Sequence, residues 1–113
     1  MKLAIIGSRS LFIDKMEDYL PKNVVEIITG GAKGIDQCAK EYAISNNIKL
    51  VEFLPNYNKY GKVAPIIRNK QIVEYADMVL AFWDGSSKGT SFVIDYARQK
   101  GKEVLVIYLS SAH

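Results

Sequence analysis

The stretch Val24-Val25-Glu26-Ile27-Ile28-Thr29-Gly30-Gly31-Ala32-Lys33-Gly34-Ile35-Asp36 decides the fold of this chain. Its β-branched residues predict a buried strand from Val24 to Thr29. A glycine loop follows, and from Lys33 to about Asn46 apolar residues recur with the period of a helix. A strand, a loop and a helix in this order are typical of one βα unit of a parallel sheet.

The same arrangement occurs twice more along the chain. Gly7-Ser8-Arg9 follows an apolar strand over residues 2–6, and Gly85-Ser86-Ser87-Lys88-Gly89-Thr90 follows a strand over residues 77–83. The carboxyl ends of parallel strands meet at one edge of a sheet, where α/β folds bind ligands. Glycine lets a backbone approach a bulky group, and amides at a helix start favour an anion. We therefore expect a phosphate-bearing molecule at this edge.

The remaining segments complete the alternation of strands and helices. They are a short helix over 14–20 with capping-box spacing, a strand over 49–54, a loop over 55–62, a helix with Pro65 in its first turn, a helix over 89–100 closed by Gly101, and a strand over 103–108. Right-handed crossovers restrict the topology. We predict a Rossmann-like three-layer α/β fold with a five-stranded parallel sheet in the order 3-2-1-4-5. One domain spans residues 1–109, and residues 110–113 form a C-terminal tail.

Composition and charge describe an ordinary globular protein. Of the 113 residues, 49% are hydrophobic and 24% are charged, and the apolar runs are well short of a membrane span. The first strand begins without the apolar region of a signal peptide, and the lone Cys38 fits a reducing compartment. We expect a cytoplasmic protein with no membrane partner. The net charge of +3 permits an anionic ligand but is too small to indicate a nucleic-acid binder.

Several common catalytic and phosphate-binding motifs are absent from the sequence. Gly34 is followed by Ile35, so the central loop is not a P-loop, and no GxGxxG follows the first strand. There is no CxxC or HExxH motif, and the only histidine is His113. We therefore expect no metal site, no bound cofactor and no histidine-based triad.

Three charged side chains are the main candidates for contact with the ligand. Asp36 lies one turn into a helix, where it either contacts the ligand, organises the site or only stabilises the helix start. Arg68 and its neighbour Asn69 are predicted to point inward at another helix start. A buried arginine needs an anionic partner, which is either the ligand or a carboxylate such as Asp36 or Asp84. Arg9 is a second candidate for a phosphate fork.

Two further segments have both a structural and a functional interpretation. In the loop over 84–90, Ser87 or Thr90 either caps the last helix or helps its free amides hold a phosphate. Tyr57 and Tyr60, interleaved with lysines, either stack on a base or belong to a solvated loop with partly packed rings. Trp83 and Cys38 are interpreted as packing residues.

Four groups of residues together resemble the SLOG superfamily of Rossmann-like proteins. They are Ile6-Gly7-Ser8-Arg9, Thr29-Gly30-Gly31-Ala32-Lys33-Gly34-Ile35-Asp36, Arg68-Asn69, and Asp84-Gly85-Ser86-Ser87-Lys88-Gly89-Thr90. This superfamily joins the DNA-processing protein A (Smf) to the LOG "lysine decarboxylase-like" proteins, and the chain is similar to its small, stand-alone, YspA-like members. The resemblance implies a nucleotide-derived ligand at the glycine loops.

The resemblance to LOG proteins also bears on catalysis. LOG proteins hydrolyse the N-glycosidic bond of nucleoside monophosphates with a glutamate in the motif PGGxGTxxE, assisted by an arginine that Arg68 resembles. Gly89-Thr90 match the GT of that motif, but Asp84-Gly85 replace its PG and Val93 occupies the glutamate position. A valine cannot stabilise an oxocarbenium charge, so we expect little or no hydrolysis. Asp36, Arg68 and Asp84 remain the candidates for a catalytic role, because Asp95 is predicted to face outward.

The leading hypothesis is a binding domain for a nucleotide or nucleotide-derived ligand, with a sensor as one form of it. The alternatives are an N-glycosidase or phosphoribohydrolase acting on nucleoside monophosphates, and a protein that binds single-stranded nucleic acid as the DNA-processing relatives do. LOG-like relatives commonly pair, so a homodimer is expected by analogy. The predicted ligand-binding residues are Gly7, Ser8, Arg9, Gly30, Gly31, Ala32, Gly34, Asp36, Arg68, Asn69, Asp84, Gly85, Ser87, Lys88, Gly89 and Thr90.

Overall fold

A five-stranded, all-parallel sheet in the order β3-β2-β1-β4-β5 forms the centre of the molecule. The computed structural model describes residues 1–110. The strands are β1 (Lys2–Gly7), β2 (Glu26–Thr29), β3 (Lys49–Glu52), β4 (Met78–Trp83) and β5 (Glu103–Tyr108). The predicted α/β class, Rossmann-like architecture and strand order are confirmed. Of the predicted tail, residues 111–113, including His113, lie outside the described part of the chain.

Helices cover both faces of the sheet because its central strands are apolar on both sides. The helices are α1 (Ile35–Ser45), α2 (Tyr57–Tyr60), α3 (Ala64–Tyr75) and α4 (Lys88–Gln99). On β1, Leu3 and Ile5 pack in the cluster that holds α1. Ala4 and Ile6, which point the other way, pack in the cluster that holds α3 and α4. The three layers of the predicted fold therefore form around two separate apolar clusters.

The register of the central strand brings the three glycine loops to one edge. β1 pairs with β2 on one side, Ala4 lying beside Ile28, and with β4 on the other, Gly7 lying beside Phe82. All three strands run in the same direction, so the loops that follow them leave the sheet at the same edge. From β1 the chain crosses to β2 on one side, and it later crosses to β4 on the other side. The position between β1 and β4, where the direction of the crossovers reverses, is the topological switch point of such sheets.

The helix predicted over residues 14–20 is wrong. The structure has only a single 3₁₀ turn, Met16–Asp18, and no side chain caps it. Met16 is the one buried residue of this segment, so the segment has no buried helical face. The segment follows the apolar cluster as an irregular chain, and the capping-box spacing is coincidental.

The loop predicted over residues 55–62 is also partly wrong. It contains α2 and a 3₁₀ turn, Gly61–Val63, which leads directly into α3. The Asn56 side chain accepts a hydrogen bond from the Lys59 amide at 3.1 Å and so caps α2. An asparagine before a short polar helix is the local signal that indicates this turn.

The helices of residues 1–110 are all too short or too polar to span a membrane.

Candidate functional site

A cavity of about 440 Å³ lies at the carboxyl edge of the sheet, between the three glycine loops and the start of α3. It is called the site cavity below. It is lined by Ile6, Gly7, Ser8, Arg9, Ser10, Gly30, Ala32, Asp36, Pro65, Arg68, Asn69, Ile72, Asp84, Ser87, Gly89, Thr90 and Val93. Its volume lies within the range of small-molecule sites, about 300–1,000 Å³.

Twelve of the sixteen predicted binding residues line this cavity, and Gly31, Gly34, Gly85 and Lys88 do not. The structure brings the twelve together, while their role in binding stays a prediction. Sequence reasoning missed the apolar floor of Ile6, Ile72 and Val93 as part of the site, together with Pro65 and Ser10. For two of these residues, helical spacing is the signal in the sequence that could have placed them beside the predicted site. Ile72 follows Arg68 by one turn, and Val93 follows Thr90 in the same way.

Asp36 organises the loop after β2. Its buried Oδ2 accepts hydrogen bonds from the Gly30 amide at 3.2 Å and from the Ala32 amide at 3.1 Å. Burial raises the pKa of Asp36 above its ordinary range, and these two bonds together with the charges of Arg68 and Arg9 oppose the rise. The carboxylate therefore holds the loop in shape, and two of the loop's amides are not available to a ligand.

Arg68 lies across the backbone of the same loop. Its Nη1 donates to the Gly30 carbonyl, and its Nε donates to Asn69 Oδ1 at 2.9 Å. A Cβ at Gly30 would lie 2.5 Å from Nη1 and 2.9 Å from Cζ, so the guanidinium fits only because this residue is glycine. Burial lowers the pKa of Arg68, and the charge of Asp36 opposes that change.

The salt bridge considered for Arg68 is not formed. The two ion pairs within 4.0 Å in residues 1–110 are Lys40–Glu52 and Lys49–Glu26. Arg68 Nη2 makes no hydrogen bond to any described residue. The guanidinium is thus fixed by neutral acceptors, and its remaining donors are left for another group.

Arg9 reaches the site cavity from the loop after β1. A Cβ at Gly34 would lie 2.5 Å from the Arg9 carbonyl oxygen and 2.8 Å from that of Ser8, so the first two loops pack directly against each other. The Arg9 side chain is exposed, and its charge contributes to lowering the pKa of Arg68. Two guanidinium groups therefore share one cavity, which is favourable for an anion.

The third loop is built around Asp84. Its Oδ1 accepts the amides of Ser86 at 2.9 Å and Ser87 at 2.8 Å, and these bonds lower the pKa of Asp84. The Asp84 amide donates to Ser8 Oγ at 3.4 Å, which ties this loop to the first. Asp84 is therefore ionised at neutral pH and shapes the turn before α4.

The start of α4 carries free hydrogen-bond donors. Ser87 occupies the N-cap position, but its side chain caps no amide, so the predicted cap by Ser87 or Thr90 is not made. The two hydroxyls instead lie 3.3 Å apart. The amides of Lys88, Gly89 and Thr90 have no partner among the described residues, as expected for the first turn of a helix.

The remaining candidates lie outside the site cavity. Trp83 Nε1 donates to the Ser87 carbonyl at 3.0 Å, and Cys38 Sγ accepts the Ile13 amide at 3.4 Å. Tyr57 and Tyr60 lie on α2 and do not line the site cavity. Residues 1–110 contain no group of three or more histidine, cysteine or acidic side chains that could hold a metal ion.

A family comparison covers the first half of this architecture. The model of the YspA, cpYpsA-related SLOG family matches residues 3–60, which include the first two glycine loops, β3 and α2. No curated protein and no solved structure shows significant similarity to the chain. The match spans more than half of the 113 residues. The sheet order, the two matched loops and the family model agree, and the chain belongs to the YspA, cpYpsA-related SLOG family.

Proposed function

We propose that this domain binds a nucleotide or a nucleotide-derived small molecule in the site cavity. Membership of a SLOG family supports a nucleotide-related role, either in binding or in processing. In the proposed complex the phosphate lies at the start of α4, near the guanidinium groups of Arg9 and Arg68. The nucleoside lies over the apolar floor formed by Ile6, Ile72 and Val93.

Gly89 is the observation that carries this proposal. Each of the other seven glycines either has a positive φ or would place a Cβ within 3 Å of other protein atoms. Gly89 has neither constraint: it lies in the first turn of α4, and a Cβ there would meet no atom within 4 Å. Glycine in a helix costs about 0.5–1 kcal/mol relative to alanine. The fold gives no reason for that cost, whereas a ligand resting on the helix start does.

The donors around Gly89 have the chemistry of a phosphate site. Gly89 and Thr90, which carry two of the three free amides, line the site cavity together with Ser87 and Arg68. The dipole of a helix favours an anion at this end. The α4 helix is twelve residues long, so its dipole is well developed.

The carboxylates of the site support binding rather than hydrolysis. Asp36 and Asp84 each accept two backbone amides and thereby hold loops in place. The LOG-type glutamate position is Val93, which is buried in the cavity floor, and Asp95 is exposed on the outer side of α4, as predicted. No carboxylate on the described chain therefore replaces the missing glutamate at its position.

The proposal is tested by calorimetric titration with the common nucleoside 5′-monophosphates, preceded by native mass spectrometry of the freshly purified protein. Arg68→Ala should weaken binding by about tenfold or more, because a charge-assisted hydrogen bond contributes about 1.5–3 kcal/mol. Arg98→Ala is the matched control, since Arg98 is an exposed arginine outside the cavity.

Two outcomes would contradict the proposal. One is that no nucleotide binds, and the other is that Arg68→Ala binds as the unmodified protein does. An oligonucleotide that binds more tightly than every mononucleotide, with a steep dependence on salt, would instead favour the nucleic-acid alternative.

A further inference from the structure

A second cavity, of about 280 Å³, lies beside the site cavity and shares one wall with it. The shared wall is Arg68, which lines both. On either side of it, α3 presents Pro65 and Asn69 to the site cavity and Ile67 and Gln71 to the second cavity. The opposite wall of the second cavity is the α2 segment. A ligand that extends past the Arg68 guanidinium would therefore enter this space.

The charge of the second cavity is entirely positive. Its lining contains Lys59 and Arg68 and no carboxylate. The Lys59 Nζ lies 5.1 Å from the centre of the Tyr60 ring and forms no ion pair within residues 1–110. The site cavity differs, because Asp36 and Asp84 line it as well as two arginines. The second cavity is therefore the more favourable place for an additional anionic group.

The second cavity also contains two side-chain amides. Asn56 uses Oδ1 to cap α2 and leaves its NH₂ group unbonded, and the exposed Gln71 side chain makes no hydrogen bond to a described residue. Side-chain amides both donate and accept, as the edges of nucleobases do. The half-buried Tyr60 adds an aromatic ring on which a base can stack.

From this juxtaposition we propose that the second cavity is a subsite for the second unit of a dinucleotide. One nucleotide occupies the site cavity, the linking phosphate contacts Arg68 and Lys59, and the second nucleoside lies among Asn56, Tyr60 and Gln71. This inference rests on the proposed function, because it extends the same ligand. A mononucleotide in the site cavity would leave Lys59 and Gln71 without contact.

The test compares three probes built on the nucleoside whose 5′-monophosphate binds most tightly. They are that monophosphate, the phosphodiester-linked dinucleotide and the pyrophosphate-linked dinucleotide. At least one dinucleotide should bind about tenfold more tightly than the monophosphate, because it gains one charge-assisted contact. Preference for the phosphodiester link indicates the end of a single strand as the natural source, and preference for the pyrophosphate link indicates a free dinucleotide.

Two variants test which residues give the dinucleotide its additional affinity. Lys59→Ala and Gln71→Ala should each reduce the advantage of the dinucleotide and leave binding of the monophosphate unchanged. Lys62→Ala is the matched control, because Lys62 is a lysine of the same segment that lines neither cavity. The Lys59 and Gln71 side chains are both exposed, so the fold does not depend on them.

Three results would overturn the inference. Equal binding of monophosphate and dinucleotides would exclude the second subsite while leaving the proposed function intact. A dinucleotide advantage that survives both Lys59→Ala and Gln71→Ala would place the second unit elsewhere. If none of the three probes binds, both the proposed function and the subsite are wrong.

Discussion

At the scale of single residues, replacing Gly89 should affect the stability of the fold and the proposed binding of a nucleotide in opposite directions. Gly89→Ala should raise the free energy of unfolding by roughly 0.5 kcal/mol, because alanine is the better helix former and its Cβ meets no atom within 4 Å. The same Cβ should weaken nucleotide binding about tenfold, since it narrows the approach to the α4 amides.

Urea denaturation and calorimetric titration measure these two effects on the same protein. Asp95→Ala is the control, because Asp95 lies on the exposed side of α4 and outside the site cavity, so its replacement changes helix propensity and one exposed charge. Unchanged binding in Gly89→Ala would mean that no ligand approaches this turn.

Val93 is the residue on which our expectation about hydrolysis of nucleoside monophosphates depends. It is only 2% exposed and has no group that can accept a proton or stabilise a positive charge. General acid–base help is typically worth about 10²–10⁴-fold, so we expect at most traces of base release from nucleoside monophosphates. Chromatography of free base after incubation with each common monophosphate measures this. Robust turnover that is lost in Asp36→Asn or Asp84→Asn would identify an enzyme and contradict the expectation.

At the scale of elements, the glycine loop after β2 contacts both α1, through Asp36, and α3, through Arg68. Gly30→Ala would place a Cβ 2.5 Å from Arg68 Nη1, and the end of this flexible side chain would have to move. We expect a loss of nucleotide affinity approaching that of Arg68→Ala. The loss of stability should be small, because only the guanidinium is displaced. A calorimetric titration that shows unchanged affinity would mean that the position of Arg68 over Gly30 is unimportant for binding.

The carboxylate of α1 gives this loop a pH dependence. Because burial raises the pKa of Asp36, the folded protein binds more protons than the unfolded chain between the ordinary aspartate pKa of about 3.9 and the raised value. The contribution of Asp36 to the free energy of unfolding therefore falls as pH rises through that window. Asp36→Asn keeps an oxygen for the two amides and removes the titration.

Urea denaturation over a series of pH values tests this sign. The free energy of unfolding of the unmodified protein should fall relative to that of Asp36→Asn as pH rises above about 3.9, and become parallel to it at higher pH. Asp95→Asn, which alters an exposed aspartate of α4, should follow the unmodified protein throughout. A difference between Asp36→Asn and the unmodified protein that is constant over the whole range would contradict the assignment.

At the scale of the whole molecule, the order of the strands was predictable and the internal contacts of the loops were not. Buried parallel strands are nearly continuous apolar runs, so β1 and β4 stand out in the sequence. The glycines at 7, 30 and 34, however, make room for protein atoms of Ile35, Arg68 and Arg9 rather than for a ligand. Such contacts join residues far apart in the chain, and no local pattern shows them.

Self-association stays a prediction made by analogy with relatives. β5 is an edge strand, and its Leu105 and Tyr108 side chains are 41% and 68% exposed. An edge of this kind leaves backbone groups unpaired and available to another chain. We expect light scattering at high protein concentration to give the mass of a dimer. The mass of a monomer under those conditions would count against pairing.

The position of β1 in the middle of the sheet also determines when during synthesis the site can exist. Leu3 pairs with Met78, so the first strand made waits for the fourth before its second side is covered. A nascent chain that ends at residue 60 contains β1, β2 and β3 but neither α3 nor α4. Chains grow from the N-terminus at about 5–20 residues per second, so α3 and α4 are synthesised seconds after these three strands. Under the proposed function, a nucleotide would therefore stabilise only the finished domain and would not guide the early steps of its folding.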